Sequence, residues 1–155
     1  MTEAAQASNQ PVFNMEKIYV KDLSLEIPNA PQIFLERENP QIEVQLHSQA
    51  APVDDGVFEV TVTTTVTAKV GEKVMFLIEA KQAGIFQVRN LPVEEMEPVL
   101  AVMCPNILFP YLREVVSDVA VRAGFAPVLL NPINFDVLYQ QQKQQQAPAD
   151  ASTTH

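Results

Sequence analysis

The stretch Cys104–Phe125, which reads CPNILFPYLREVVSDVAVRAGF, decides the fold because it predicts a long amphipathic helix. Asn106 is placed to cap the start of this helix and Gly124 to follow its end, although Pro110 also allows a start near Phe109. Apolar residues recur at steps of three and four and so share one helical face: Leu108, Tyr111, Leu112, Val115, Val116, Val119, Ala120 and Ala123. The other face carries Arg113, Glu114, Ser117, Asp118 and Arg122.

Four segments before this helix alternate between apolar and polar residues, which predicts β-strands. They span Phe13–Ile27, Ile42–His47, Phe58–Val70 and Lys73–Lys81. Turn residues at Pro52–Gly56 and at Gly71-Glu72 separate the last three strands and predict tight connections between them. We therefore expect an antiparallel sheet of four strands.

The alternation assigns residues of the first and fourth strands to the two faces of this sheet. In the first strand, one face is expected to hold Lys21, Leu23, Leu25 and Ile27, and the other Val20, Asp22, Ser24 and Glu26. In the fourth strand, the corresponding groups are Val74, Phe76, Ile78 and Ala80 against Lys73, Met75, Leu77, Glu79 and Lys81. Leu77 is therefore expected to be exposed among charged neighbours.

The remaining segments predict a loop and two more helices. Prolines enclose the segment NAPQIFLEREN, which we interpret as a long crossing loop with an apolar centre. Glu94–Met103 predicts a short helix that Pro105 breaks, and Asn131-Pro132 predicts the start of a last helix. The stripe of that last helix is Ile133, Phe135, Leu138 and Tyr139. Strands followed by helices indicate an α+β fold.

Length and composition predict one globular domain. The chain has 155 residues, of which 47% are hydrophobic and 19% charged. The domain is expected to span residues 12–142, because residues 1–11 are small and polar without periodicity and residues 143–155 are rich in Gln and then in Ala, Pro and Thr. Both ends are therefore expected to be disordered.

Charge and hydropathy limit the possible partners. Nineteen acidic residues against ten basic ones give a net charge of -9, which disfavours nucleic acid and anionic lipid. The start of the chain lacks the features of a signal peptide, and the longest apolar run, Val99–Cys104, is far below the ~20 residues that span a bilayer. We expect a soluble, cytoplasmic protein without direct membrane insertion. A mean hydropathy of +0.02 suggests apolar surface buried between subunits.

The sequence offers little catalytic chemistry. Cys104 and His47 could form a nucleophile and base, but a buried structural thiol fits an apolar run before Pro105 better. A single Cys and one His outside the tail are too few for a zinc site. Widely separated glycines provide no phosphate-binding loop. We therefore expect no enzyme, no metal and no cofactor.

The exposed faces of the first and fourth strands leave two interpretations open. Asp22, Glu26 and Glu79 lie there, with Leu77 as an apolar residue beside Glu79. The pattern suits docking to a basic, partly apolar partner, but it also suits an ordinary solvated strand face.

Several motifs resemble the SecB family of protein-export chaperones. They are IYVKDLSLEIPNAPQIF (Ile18–Phe34), the hairpin Val66–Glu79, GIF (Gly84–Phe86), CPNILFPY (Cys104–Tyr111) and NPINFDVLY (Asn131–Tyr139). The similarity runs in register from about Phe13 to Gln142. One departure is Glu38, which stands where relatives often have tryptophan.

The resemblance implies a homotetramer, a dimer of dimers in which helices lie between antiparallel sheets. Such chaperones hold precursor proteins unfolded and competent for translocation, without using nucleotide, and pass them to the SecA ATPase of the Sec pathway. A SecB-like chaperone dedicated to a toxin–antitoxin system is the alternative, and retention of the residues that match the SecA-docking surface favours general export.

The resemblance also assigns roles to residues by their matching positions. The SecA-docking residues would be Asp22, Glu26, Leu77 and Glu79. The client-binding groove would include Ile33, Phe34, Ile85, Phe86, Leu138 and Tyr139. The residues that bear on subunit assembly would be Ile78, Ala80, Gln82 and Cys104, for which a plain core role is equally open.

Overall fold

A computed structural model describes residues 9–146 as a four-stranded antiparallel sheet with helices packed on one face. The strands are β1 (Val12–Glu26), β2 (Gln41–Asp54), β3 (Val57–Val70) and β4 (Lys73–Arg89), in the order β1-β4-β3-β2. The helices are a 3₁₀ turn (Gln32–Leu35), α1 (Val93–Pro98), a π-helical segment (Val99–Met103), α2 (Cys104–Arg122) and α3 (Phe135–Gln146). The prediction of an α+β fold with this sheet is confirmed.

The sheet has an inner face, which α2 covers, and an outer face. Even-numbered residues of β3 up to Ala68 and of β4 from Phe76 onward point inward and oppose one another, as in the pair of Val66 and Ile78. The pairing skips Met75, so this parity does not hold for the residues next to the β3–β4 turn. Most of the inward-pointing side chains are buried together with Leu108, Leu112 and Val116 of α2. Burying this apolar surface, at about 25 cal/mol per Å², is the main force that holds the helix on the sheet.

Two β-bulges change which face of the sheet the residues of β1 point to. The pairing with β4 skips one residue between Met15 and Lys17 and another between Val20 and Asp22. Lys21 is the extra residue of the second bulge, and its side chain bonds to Glu59 on the outer face. The prediction that grouped Lys21 with Leu23 and Leu25 was therefore wrong, and so was the grouping of Val20 with Asp22, because strict alternation does not hold across a bulge.

Strands β2 and β4 are longer than the alternation predicted. Pro52 lies within β2, which is possible because β2 is an edge strand and needs no donor on its free side. Ala83–Phe86 were expected to follow the fourth strand but lie inside β4. A side chain at Gly84 would come within 3.0 Å of Leu108, so this glycine allows α2 to approach the sheet closely.

The helical region from Val93 to Arg122 is continuous, contrary to the prediction that Pro105 breaks it and that Asn106 caps a new helix. Pro105 cannot donate to the carbonyl of Ala101 and its ring crowds that carbonyl. The preceding turn widens instead, and the Cys104 N–H bonds to the carbonyl of Val99, five residues back. The widened turn keeps the helix intact.

The same helical region has the length and the apolar composition of a helix that could cross a membrane. The expectation from the sequence missed this, because it rested only on uninterrupted apolar runs. In the fold it lies against the sheet through one face, and 33% of its most apolar window is buried. The buried face of this helical region is part of the hydrophobic core.

The end of α2 forms a Schellman motif around Gly124, as the sequence indicated. Gly124 has φ +93°, its N–H bonds to Val121, and the Phe125 N–H bonds to the carbonyl of Ala120 at 3.0 Å. The start of α3 differs from the prediction, because Asn134 and not Asn131 caps it by accepting from the Val137 N–H.

The structure describes only part of the two predicted tails, residues 9–11 and 143–146. Helix α3 continues to Gln146, so residues 143–146 are helical and not part of a disordered tail. The rest of the C-terminal prediction and that for residues 1–8 lie outside the described residues.

Cys104 and His47 do not form a catalytic pair. Cys104 is fully buried in the core, whereas His47 is exposed on the outer face of β2, opposite Thr63 of β3. Burial raises the pKa of the Cys104 thiol to about 12, which keeps it protonated at neutral pH. The sheet separates the two side chains, so the structural interpretation of this cysteine fits the fold.

We predict that Gly124→Ala destabilises the protein more than Gly71→Ala. Both glycines have positive φ, where an L side chain costs about 1–2 kcal/mol. A Cβ at Gly71 meets nothing within 4 Å, whereas one at Gly124 lies 3.1 Å from the ring of Phe34. Urea unfolding measures the free energy of unfolding of both variants. Equal decreases would show that the Phe34 ring can move aside without loss of stability.

We also predict that iodoacetamide labels Cys104 very slowly in the native protein at pH 8. With a thiol pKa of about 12, about one side chain in ten thousand is ionised at that pH, and the thiol is also enclosed. Mass spectrometry follows the labelling, with the same protein in urea as the reactive control. Rapid, complete labelling of the native protein would contradict the buried position.

Candidate functional site

The four residues proposed for partner docking lie together on the outer face of β1 and β4. Glu26 pairs with Leu77, and Ser24 pairs with Glu79. Asp22 pairs with Lys81, one step further along β4. Paired residues point to the same face of a sheet, so these side chains form one surface across two neighbouring strands. We call Asp22, Glu26, Leu77 and Glu79 the acidic patch.

The three carboxylates of the acidic patch are exposed, and none makes an ion pair with any residue between 9 and 146. Leu77 is half-buried and so less accessible than the predicted exposed residue. Its neighbours Glu26 and Thr67, on β1 and β3, flank it and cover part of the side chain. The patch thus presents exposed negative charge beside a partly accessible apolar residue.

A second polar cluster, which the sequence interpretation missed, adjoins the acidic patch on the outer face. Lys21 Nζ lies 2.6 Å from Glu59 Oε1, and the Tyr19 hydroxyl donates to the other oxygen of Glu59. Burial and the Glu59 carboxylate raise the pKa of Tyr19 to about 12, while the hydrogen bonds from Lys21 and Tyr19 lower the pKa of Glu59. The three groups are fixed relative to one another.

The spacing of apolar residues in β1 carried a signal for this cluster. Val20 and Leu23, both on the inner face, are three positions apart instead of two, as are Met15 and Ile18 at the first bulge. A step of three within an alternating strand indicates a β-bulge.

An apolar groove follows the inner side of edge strand β2. Three adjoining cavities of about 180, 50 and 390 Å³ lie along it, and each shares at least one lining residue with the next. From β2 the walls include Val44, Leu46, Ser48 and Ala50, which span about 20 Å at the rise of a strand. The helical wall includes Phe109, Leu100, Leu138 and Tyr139. We call this the β2 groove.

The structure places only some of the predicted client-binding residues along the β2 groove. Leu138 and Tyr139 line its central cavity. Phe86 is buried in the core, and Ile85 points to the outer face opposite Glu59, so these two adjacent residues cannot line one groove. The alternation of β4 places them on opposite faces, and their assignment to client binding stays a prediction.

The crossing loop contributes one buried and one accessible apolar residue. Ile33 is buried in the core, whereas Phe34 is half exposed. The Phe34 ring stacks on Phe125 at 5.1 Å between centroids, and Phe125 contacts Phe76 at 5.0 Å. This aromatic cluster lies near Ile42, since Phe76, Ala68 and Ile42 are consecutive partners across the sheet. It supplies aromatic surface although the chain has no tryptophan.

The residues predicted to bear on subunit assembly are buried inside the protomer. Ile78, Ala80 and Cys104 have no exposed surface and Gln82 is 3% exposed, because all four lie between β4 and α2. They cannot contact another subunit directly. Any effect on assembly would act through the residues that cover them.

The comparisons with known proteins agree on one family. The sequence profile described as "Preprotein translocase subunit SecB" matches residues 6–146. The protein-export protein SecB of Methylobacillus flagellatus is 58% identical over 153 residues, covering 99% of this chain and 98% of that protein. The SecB protein of Chromobacterium violaceum is 64% identical over 144 residues, covering 93% and 96%.

Among solved structures, a SecB-like chaperone of Mycobacterium tuberculosis in complex with an antitoxin peptide has a similar fold. Its TM-score is 0.61 at 18% identity, over 84% of this chain and 95% of that chain. The match of sequence over nearly the whole length is the stronger finding, and the chain therefore belongs to the SecB family of protein-export chaperones.

Proposed function

We propose that this protein holds precursor proteins unfolded in the cytoplasm and delivers them to the SecA ATPase, without nucleotide or other cofactor. Family membership supports export, and the unpaired carboxylates of the acidic patch support docking to a basic partner. The acidic patch carries the proposal, because charge left unneutralised on a flat sheet surface is available to a partner.

The β2 groove is suited to an extended client. The lining of its two end cavities is mostly apolar, so client side chains that enter there lose hydration at about 25 cal/mol per Å² of apolar surface. β2 is also an edge strand, whose free backbone groups can pair with an extended chain whatever its sequence. Together these features allow binding of many different unfolded chains.

We predict that Val44→Glu weakens binding of an unfolded precursor about tenfold, because Val44 lines the groove and a carboxylate there resists desolvation. Gln45→Glu adds the same charge on the opposite face of β2 and serves as the matched control. Fluorescence titration with an unfolded precursor measures both affinities. Equal effects of the two variants would remove the groove from client binding.

The acidic patch is suited to a basic and partly apolar surface of SecA. Asp22, Glu26 and Glu79 would attract basic side chains and speed association, and the screening of these charges makes the affinity dependent on salt. Leu77 pairs with Glu26 at one end of the patch and offers the apolar contact. A buried apolar contact often carries much of the binding energy of an interface.

We predict that Leu77→Arg weakens SecA binding about tenfold while precursor binding is unchanged. The substitution places a cation where the partner is basic and removes an apolar contact. Gln45→Arg, on the outer face of β2, introduces the same charge away from the patch. Calorimetry with SecA and light scattering of the free protein are the measurements. A change of molecular mass or an equal loss of precursor binding would refute the docking role of Leu77.

The homotetramer, a dimer of dimers, is supported by apolar side chains that the protomer leaves exposed. The inner side of β1 presents Met15, Val20, Leu23 and Leu25, each between 38% and 47% exposed. The helical layer presents Met103, Tyr111 and Val121. Apolar surface of this extent is usually covered by a second subunit.

The toxin–antitoxin role is not favoured. The solved chaperone with an antitoxin peptide shares 18% identity with this chain and is related by fold alone. The export proteins share 58% to 64% identity over almost the full length.

A further inference from the structure

The bulge in β1 brings a cation next to the acidic patch. Lys21 and Asp22 both oppose Lys81, because the pairing passes from Val20–Gln82 to Asp22–Lys81 with Lys21 as the extra residue. Two successive residues at a bulge can therefore point to the same face. The Lys21 side chain does so, since it contacts Glu59 on the outer face. A free Lys21 ammonium could reach the neighbouring Asp22 carboxylate.

Glu59 removes that ammonium from the neighbourhood of Asp22. The Glu59 side chain is 17% exposed against 45% for Lys21, so the carboxylate is the less mobile member of the pair. The Tyr19 hydroxyl holds its second oxygen. Ala83 lies on β4 between Tyr19 and Thr61, and its small side chain leaves room for the two long side chains of β1 to cross to β3.

We infer that Glu59 is a positioning residue that binds Lys21 and so keeps the Asp22 carboxylate free for basic groups of the docking partner. The inference rests on the proposed function of the acidic patch. Glu59 lies on β3, outside the patch, and would control how much negative charge the patch presents. Lys81 also faces Asp22 but makes no ion pair with it among residues 9–146, so Lys21 is the cation whose position matters.

The test compares Glu59→Gln with the double variant Lys21→Gln/Glu59→Gln by calorimetric titration with SecA at low salt. Glu59→Gln still accepts the Tyr19 hydrogen bond but holds Lys21 less firmly, and we expect about two- to fivefold weaker binding, the range of surface ion pairs. The double variant lacks the competing ammonium and should regain wild-type affinity. Glu94→Gln, on α1, makes the same change of charge elsewhere and should bind as the wild type does.

Two results would overturn the inference. One is wild-type affinity of Glu59→Gln, and the other is a double variant as weak as Glu59→Gln, which would indicate a merely structural role in the sheet. A crystal structure of Glu59→Gln gives a second readout that does not depend on SecA. Lys21 Nζ within 4 Å of the Asp22 carboxylate supports the inference, and Lys21 still bound at position 59 contradicts it.

Failure of the proposed function gives a different result. If Asp22→Asn binds SecA as tightly as the wild type, the patch is not the docking surface, whatever Glu59 does. The crystal structure of Glu59→Gln would then still decide whether Glu59 controls the position of Lys21.

Discussion

The packing of α2 on β3 and β4 is the constraint on which the other surfaces of the protomer depend. A helix is about 10 Å wide and neighbouring strands are about 4.8 Å apart, so one helix covers about two strands. The central strands are therefore buried and the inner sides of β1 and β2 keep exposed apolar residues. On β2 this surface forms one wall of the groove, and on β1 it is available to another subunit.

The outer face differs from the inner face, because no helix formed by residues 9–146 covers it. Its central positions are filled by small or polar residues, such as Thr61, Thr63 and Ala83, which are nevertheless buried between larger neighbours. Charged side chains lie on the outer face of β1, where the bulge at Lys21 determines which side chains point outward. The β2 groove and the acidic patch, the surfaces proposed for client binding and partner docking, therefore lie on opposite faces of one sheet and share no residues.

Much of the fold could be predicted from periodicity, and the exceptions have local physical causes. Four strands and the helix at Cys104–Arg122 followed from steps of two and of three or four. The continuity through Pro105 did not, because a widened turn can absorb a proline that normally ends a helix. The faces of Lys21 and Val20 were wrong because the bulge shifts the alternation. The composition of the acidic patch came from a resemblance, while its connection to Glu59 depends on strand order, which periodicity does not reveal.

The widened turn at Val99–Met103 separates the part of the helical region that lines the β2 groove from the part that packs in the core. Each residue turns an α-helix by about 100°, whereas the widened turn holds one residue more than an α-helical turn over a similar rotation. Met96 and Leu100 line one end of the β2 groove, whereas Leu108 and Leu112 lie in the core. A single residue gained or lost in the α-helical turns on either side would rotate one set of side chains against the other by about 100°, and the length of the helical region should therefore vary less than its composition.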